Sequence, residues 1–169
     1  MSSARPSKGR GRLCYLWLSL LALVLDLGTK WWAQATLHYA MPKPVLPFLN
    51  WTLLYNPGAA FSFLSNQGGW QRWLFSAIAL IIAIIIVRFL AKIPRQQHMA
   101  AVGLSLVLAG ALGNVIDRLR FGYVIDFIDV HVAGYHWPAF NIADSVICIG
   151  AVLLIWQQLR KSDKSSDKK

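Results

Sequence analysis

Five aspartates in otherwise apolar surroundings are the residues that could do chemistry: Asp26, Asp117, Asp126, Asp129 and Asp144. The chain has no glutamate, and its remaining acids, Asp163 and Asp167, lie in the polar end SDKSSDKK. Asp144 sits in FNIADSVICIG, in the first turns of an apolar segment, where the positive end of a helix favours an anion. Asp126 sits in GYVIDFIDV, flanked by valine, isoleucine and phenylalanine, a poor setting for a solvated loop charge. Burial raises a carboxyl pKa and a second carboxyl raises it further, so such a pair holds one proton between its members at working pH. One member can then accept a proton from water while the other donates to a peptide carbonyl, the division of labour of an aspartyl peptidase.

Other chemistries find little support. Asp26 and Lys30 are four apart and can pair on one helix face, whereas the neighbours Asp117 and Arg118 diverge and must bond different partners. Structural roles suit these four. His38, His98, His131 and His136 form no HExxH, no GxSxG is present, and no glycine loop could cradle a phosphate. Ser145 reads as a helix hydroxyl. Cys14 and Cys148 lie in apolar segments, where two thiols make no metal site and no expected disulfide.

The elements that must position these acids are membrane helices. Of 169 residues, 56% are hydrophobic and 14% charged, where a soluble domain carries about a quarter charged. The mean hydropathy of +0.47 points to lipid as solvent. Four segments match the ~20 residues needed to cross a bilayer core: Leu13 to Trp32, Trp73 to Leu90, Met99 to Leu119 and Ala139 to Leu159. The third is rich in small residues (Gly103, Ser105, Ala109, Gly110, Ala111, Gly113) that let backbones approach, so it is expected at the centre of the bundle. Pro138 is placed where the fourth can begin, which puts Asp144 roughly 8 Å below its end.

Most of the 17 basic residues lie in the first tail, in the loop holding Arg88, Lys92 and Arg95, and in the last tail. The positive-inside rule then places both termini in the cytoplasm. The net charge of +10 is thereby an orientation signal rather than a nucleic-acid footprint. A basic start followed by an apolar stretch mimics a secretory signal, but Asp26, Lys30, Trp31 and Trp32 read as a retained first helix. Residues 41–69 are aromatic and β-prone with turn residues at Asn56-Pro57-Gly58, which predicts a small sheet on the membrane surface. Residues 120–138 form the second outer connection. One membrane domain over 1–160 and a disordered tail over 161–169 complete the expectation.

Five stretches in order, LDLGTKWW, YNPGAAFSFL, GALGNVIDRL, GYVIDFIDV and FNIADSV, resemble the bacterial lipoprotein signal peptidases (signal peptidase II). One departure is Ala109-Gly110-Ala111, where that family often has a glycine pair. The resemblance implies an all-α membrane protein of four transmembrane helices, both termini inside, with a periplasmic β-cradle between the first two helices. It also implies a short periplasmic helix between the last two. It places the catalytic dyad at Asp126 and Asp144, with Asp26, Lys30, Asn56, Gly58, Asn114, Asp117, Arg118, Asn141 and Ala143 in supporting or substrate-binding roles. The implied reaction removes the signal peptide from a diacylglyceryl prolipoprotein, cutting just before the lipidated cysteine, in the bacterial inner membrane. Membrane lipids and globomycin-type cyclic peptides are the implied partners, and no metal or organic cofactor is implied. Two other classes use membrane aspartates: proton-coupled transporters, which need acids at several depths, and scaffolds that use them as helix glue.

Overall fold

The computed structural model describes residues 12–58, 68–94 and 96–166. The stretch AAFSFL of the second matched motif, residues 59–64, falls wholly outside them. A 3-10 turn, Leu13–Tyr15, leads into α1 (Leu16–Thr36). Then follow β1 (Lys43–Leu46), β2 (Leu49–Asn56), α2 (Gln71–Lys92), α3 (His98–Phe121), β3 (Val124–Val132), β4 (Tyr135–His136) and α4 (Ile142–Ser166). All four α-helices are long and apolar enough to cross a membrane.

The small residues of α3 do what their size allows. Of its apolar stretch 56% is buried, against 22% in α1, 22% in α2 and 11% in α4, so α3 is the axis on which the others pack. A Cβ on Gly103 would lie 2.9 Å from the Gly150 carbonyl, and one on Gly150 would lie 2.6 Å from the Gly103 carbonyl. A Cβ on Gly110 would run into the Ala143 carbonyl. Helices α3 and α4 therefore meet backbone to backbone, through the small-residue packing that membranes favour. Isoleucines such as Ile81, Ile84 and Ile155 stay on the outer surface, where acyl chains would cover them.

The four strands form one antiparallel sheet in chain order. Pairing of β2 with β3 joins the α1–α2 connection to the α3–α4 connection, so both lie at the same end of the bundle. Its apolar side, Leu53, Ile125 and Phe127, packs on Ala33 and Leu37 at the end of α1. Trp32, Trp51 and Phe127 meet there at ring separations of 5.8 to 6.2 Å.

Two expectations are corrected. The α3–α4 connection holds strands β3 and β4 and, among the described residues, no separate helix. The cause is local: Gly122, at φ 86°, ends α3 by donating its N–H to the Arg118 carbonyl at 3.0 Å. The alternating, β-branched VIDFIDVHV that follows is a strand pattern. Ala133 and Gly134, at φ 50° and 83°, then close a two-residue hairpin of the kind that needs positive φ at both positions. The second correction concerns α4. The stretch before it stays extended, with Phe140 bridged to Ile128, and the helix begins at Ile142 rather than beside Pro138. Asp144 is thus in the first turn. At its other end α4 continues to Ser166, into the polar tail.

Candidate active site

The start of α4 is a reciprocal cap. Asn141 Oδ1 accepts the Asp144 N–H at 2.9 Å, and Asp144 Oδ2 accepts the Asn141 N–H at 3.4 Å. This is the capping-box arrangement, built here from Asn-Ile-Ala-Asp, and it locks the Asp144 rotamer to the helix terminus. Asn114 on α3 donates its Nδ2 to Asp144 Oδ1 at 2.8 Å, so both carboxylate oxygens are held by N–H groups.

Asp126 arrives from the sheet. Asn141 Nδ2 donates to its Oδ1 at 2.7 Å, and Asn56 Nδ2, at the end of β2, donates to its Oδ2 at 3.1 Å. Asn141, fully buried, therefore binds both aspartates, one with its side chain and one with its main chain. Asp126 is 3% exposed. Burial, and then the charge of Asp144, push its carboxyl up to about 7, against the opposing pull of the Asn56 and Asn141 amides and of Lys30.

Asp129 sits three residues on, so the pleat turns it to the opposite face. There it accepts from Thr52 at 2.8 Å, Asn50 at 3.2 Å and His136 at 2.7 Å. It plays no part in the arrangement around Asp126. Although burial opposes it, these donors hold the Asp129 carboxyl below its ordinary value.

Beneath the pair lies a buried ion cluster. Lys30 Nζ is 2.8 Å from Asp26, 2.9 Å from Asp117 and 3.0 Å from Asn114 Oδ1. Asp26 also accepts the Ala143 N–H at 2.7 Å, and Asp117 the Ile125 N–H at 3.2 Å. Gly113 is required here, because a Cβ on it would strike the Asp26 carboxylate. Lone buried charges are costly, and removing one partner of such a cluster typically costs about 3–5 kcal/mol.

A cavity of about 440 Å³ opens beside Asp144. Asn56, Asn114 and Arg118 supply its polar wall, and Val124, Trp137, Phe140, Ile147 and Cys148 its apolar wall. Arg118 reaches across to donate to the Gly58 carbonyl at 2.8 Å, and Gly58 N–H binds Asn56 Oδ1 at 3.0 Å in an Asx turn. An apolar chain and a peptide bond could lie there together, with the Asp144 carboxylate in the wall.

All eleven residues expected at the site gather in this region. Asp126 and Asp144 come together through Asn141. Asn56, Gly58, Asn114 and Arg118 adjoin the cavity, and Asp26, Lys30, Asp117 and Ala143 form the layer beneath. Sequence reasoning missed the apolar wall. Ile147 and Cys148 stand three and four residues after Asp144, and that helical spacing was the available signal. Trp137 had the composition of an interfacial residue and nothing to mark it as lining a cavity. Cys14 and Cys148 are free thiols.

The family described as signal peptidase (SPase) II matches residues 18–160. The chain is 52% identical to a lipoprotein signal peptidase of Polynucleobacter necessarius, over 92% of this chain and 94% of that protein. It is 49% identical to one from Pseudomonas putida, over 96% of each. A bacterial membrane enzyme solved by the in meso method at 2.3 Å resolution superposes with a TM-score of 0.82 at 36% identity, covering 95% of this chain and 96% of that one. With its membrane helices matched from 18 to 160 and relatives about half identical over nearly their whole length, the chain belongs to the signal peptidase II family.

Proposed function

We propose that this membrane protease removes the signal peptide from diacylglyceryl prolipoproteins, cutting amino-terminal to the lipidated cysteine, with Asp126 and Asp144 as its catalytic pair. The observation that carries the proposal is Asn141. One buried residue binds a strand carboxylate with its side-chain amide and a helix carboxylate with its main-chain N–H, and the helix carboxylate lines a cavity with an apolar wall. Asp126, raised towards neutrality, carries the shared proton, and Asp144 accepts the proton of the attacking water. Water oxygen bonds to the carbonyl carbon before the cysteine as Asp126 protonates the carbonyl oxygen. The C–N bond then breaks, the amine takes up a proton, and the signal peptide leaves as a carboxylic acid. Asn56 and Asn141 hold Asp126 in place, Asn114 holds Asp144, and Arg118 with Gly58 shapes the cavity mouth.

The distribution of Lys and Arg supports an orientation with both termini in the cytoplasm and the sheet on the periplasmic side of the bacterial inner membrane. A lipidated substrate diffusing in the bilayer then brings its scissile bond to the depth of the aspartates. The sheet would lie over the substrate, membrane lipids would solvate the helices, and cyclic peptides of the globomycin type would compete for the cavity. Residues 1–160 act as one membrane domain, with the rest a cytoplasmic tail.

The test uses purified protein and a diacylglyceryl prolipoprotein. Asp126→Asn and Asp144→Asn should each lower cleavage by about 10²–10⁴-fold while the variant stays folded. Cleavage near the wild-type rate by either would remove the pair from the reaction.

A further inference from the structure

Lys30 stands below the aspartate pair and touches neither member. Its three contacts nevertheless lead to both. Asp26, 2.8 Å from its ammonium, holds the N–H of Ala143, the residue just before Asp144. Asp117, 2.9 Å away, holds the N–H of Ile125, the residue just before Asp126. Asn114 accepts from Lys30 with its Oδ1, which turns its Nδ2 towards Asp144. We propose that Lys30 is a positioning residue that sets the separation of the catalytic pair, by holding together two carboxylates that each grip the peptide immediately preceding a catalytic aspartate. The proposal rests on the dyad reading above.

Asp26 and Asp117 are like charges, each almost fully buried, and the ammonium between them offsets their repulsion. Asp26 belongs to α1 and Asp117 to α3, while the peptides they hold belong to α4 and β3. Four elements are thus referred to one cation. Without it the two carboxylates move apart, and each would carry its attached peptide along. The Asn114 amide also loses the nearer of its two donors and keeps only the longer bond from Asn141 Nδ2 at 3.4 Å, which loosens its hold on Asp144. Asp26, Lys30 and Asp117 are the charged groups beneath the pair, and Asp126 and Arg118 are those beside Asp144.

A counter-charge role and a positioning role can be separated. Lys30→Met removes the cation and strands two carboxylates. Lys30→Met with Asp117→Asn also removes the cation but restores the original net charge of the cluster, and the new amide oxygen can still accept from Ile125. If Lys30 positions the pair, this double variant regains a cooperative unfolding transition in detergent. Its kcat on a diacylglyceryl prolipoprotein stays about 100-fold low with KM unchanged, since a displaced catalytic group spoils the reaction rather than binding. Recovery of wild-type kcat with stability would overturn the proposal, leaving Lys30 as a neutralising charge. Failure of both variants to fold, or a rise in KM matching the fall in kcat, would overturn it as well. Asp144→Asn runs alongside: if that variant is active, the dyad reading fails, whereas its inactivity with normal Lys30 variants removes only the role given to Lys30.

Discussion

Replacing Asp126 by asparagine should raise the stability of the protein in alkali relative to acid. In the folded protein the Asp126 carboxyl is held at about 7, against 3.8 for an ordinary aspartate, because it is buried and faces the charge of Asp144. Between those values the folded chain keeps a proton that the unfolded chain has released, so stability falls as pH rises through the interval. Below 3.8 both states are protonated and the group costs nothing; above about 7 the folded chain bears the full cost of a buried charge. Roughly three pH units at 1.36 kcal/mol each set that cost at about 4 kcal/mol. Part of it is already present in mild acid, so between about pH 5 and about pH 8 the variant should gain about 2–3 kcal/mol on the wild type. Asparagine also turns an amide towards the donors of Asn56 or Asn141, a penalty of about 1–3 kcal/mol that does not vary with pH and cancels in the comparison. Unfolding in detergent, followed by tryptophan fluorescence at both pH values, measures the difference. An advantage that is the same at both would refute the reasoning, because the carboxyl would then titrate alike in folded and unfolded chains.

The same titration predicts that peptidase activity declines above neutrality as the pair loses its shared proton, which a kcat profile against pH would record. Gly150→Leu, whose first added carbon would lie 2.6 Å from the Gly103 carbonyl, should destabilise the protein by about 1–3 kcal/mol on thermal unfolding. Gly28→Ala meets nothing within 4 Å and should stabilise α1 by about 0.5–1 kcal/mol in the same measurement. Asn141→Ala removes a helix cap worth about 1 kcal/mol and should lower kcat by about 100-fold, far out of proportion to its effect on stability.

The membrane helices were legible because their signal is length and hydropathy, which no tertiary contact has to supply. Their ends were less so: the extended stretch ahead of α4 is fixed by the bridge from Phe140 to Ile128, a partner that no local pattern around Pro138 reveals. The pairing of β2 with β3 is of the same kind, since Asn56 and Val124 are far apart in the chain and meet only through the sheet. The aspartate pair was visible as an anomaly, acids where apolar residues belong. The pairing of Asp26 with Lys30 followed from helical spacing. That Asp117 would join them from another helix could not be read from a sequence in which its neighbour is Arg118. Residues 124–136 show how a resemblance can mislead locally: β-branched alternation and a glycine turn decided for strands where a helix was implied.

One side chain, Asp144, stitches down the beginning of a transmembrane helix and, on the proposed function, also takes the proton of the attacking water. A group so used cannot swing far to meet its target without unravelling the first turn beneath it. On the proposed function, fitting differently shaped clients then falls to the apolar wall, where Trp137 and Phe140 sit on a connection rather than on a helix. The chemistry is anchored and the grip is adjustable. Changes that broaden or narrow the range of clients should accumulate on that wall, while the helix bearing the acid tolerates almost none.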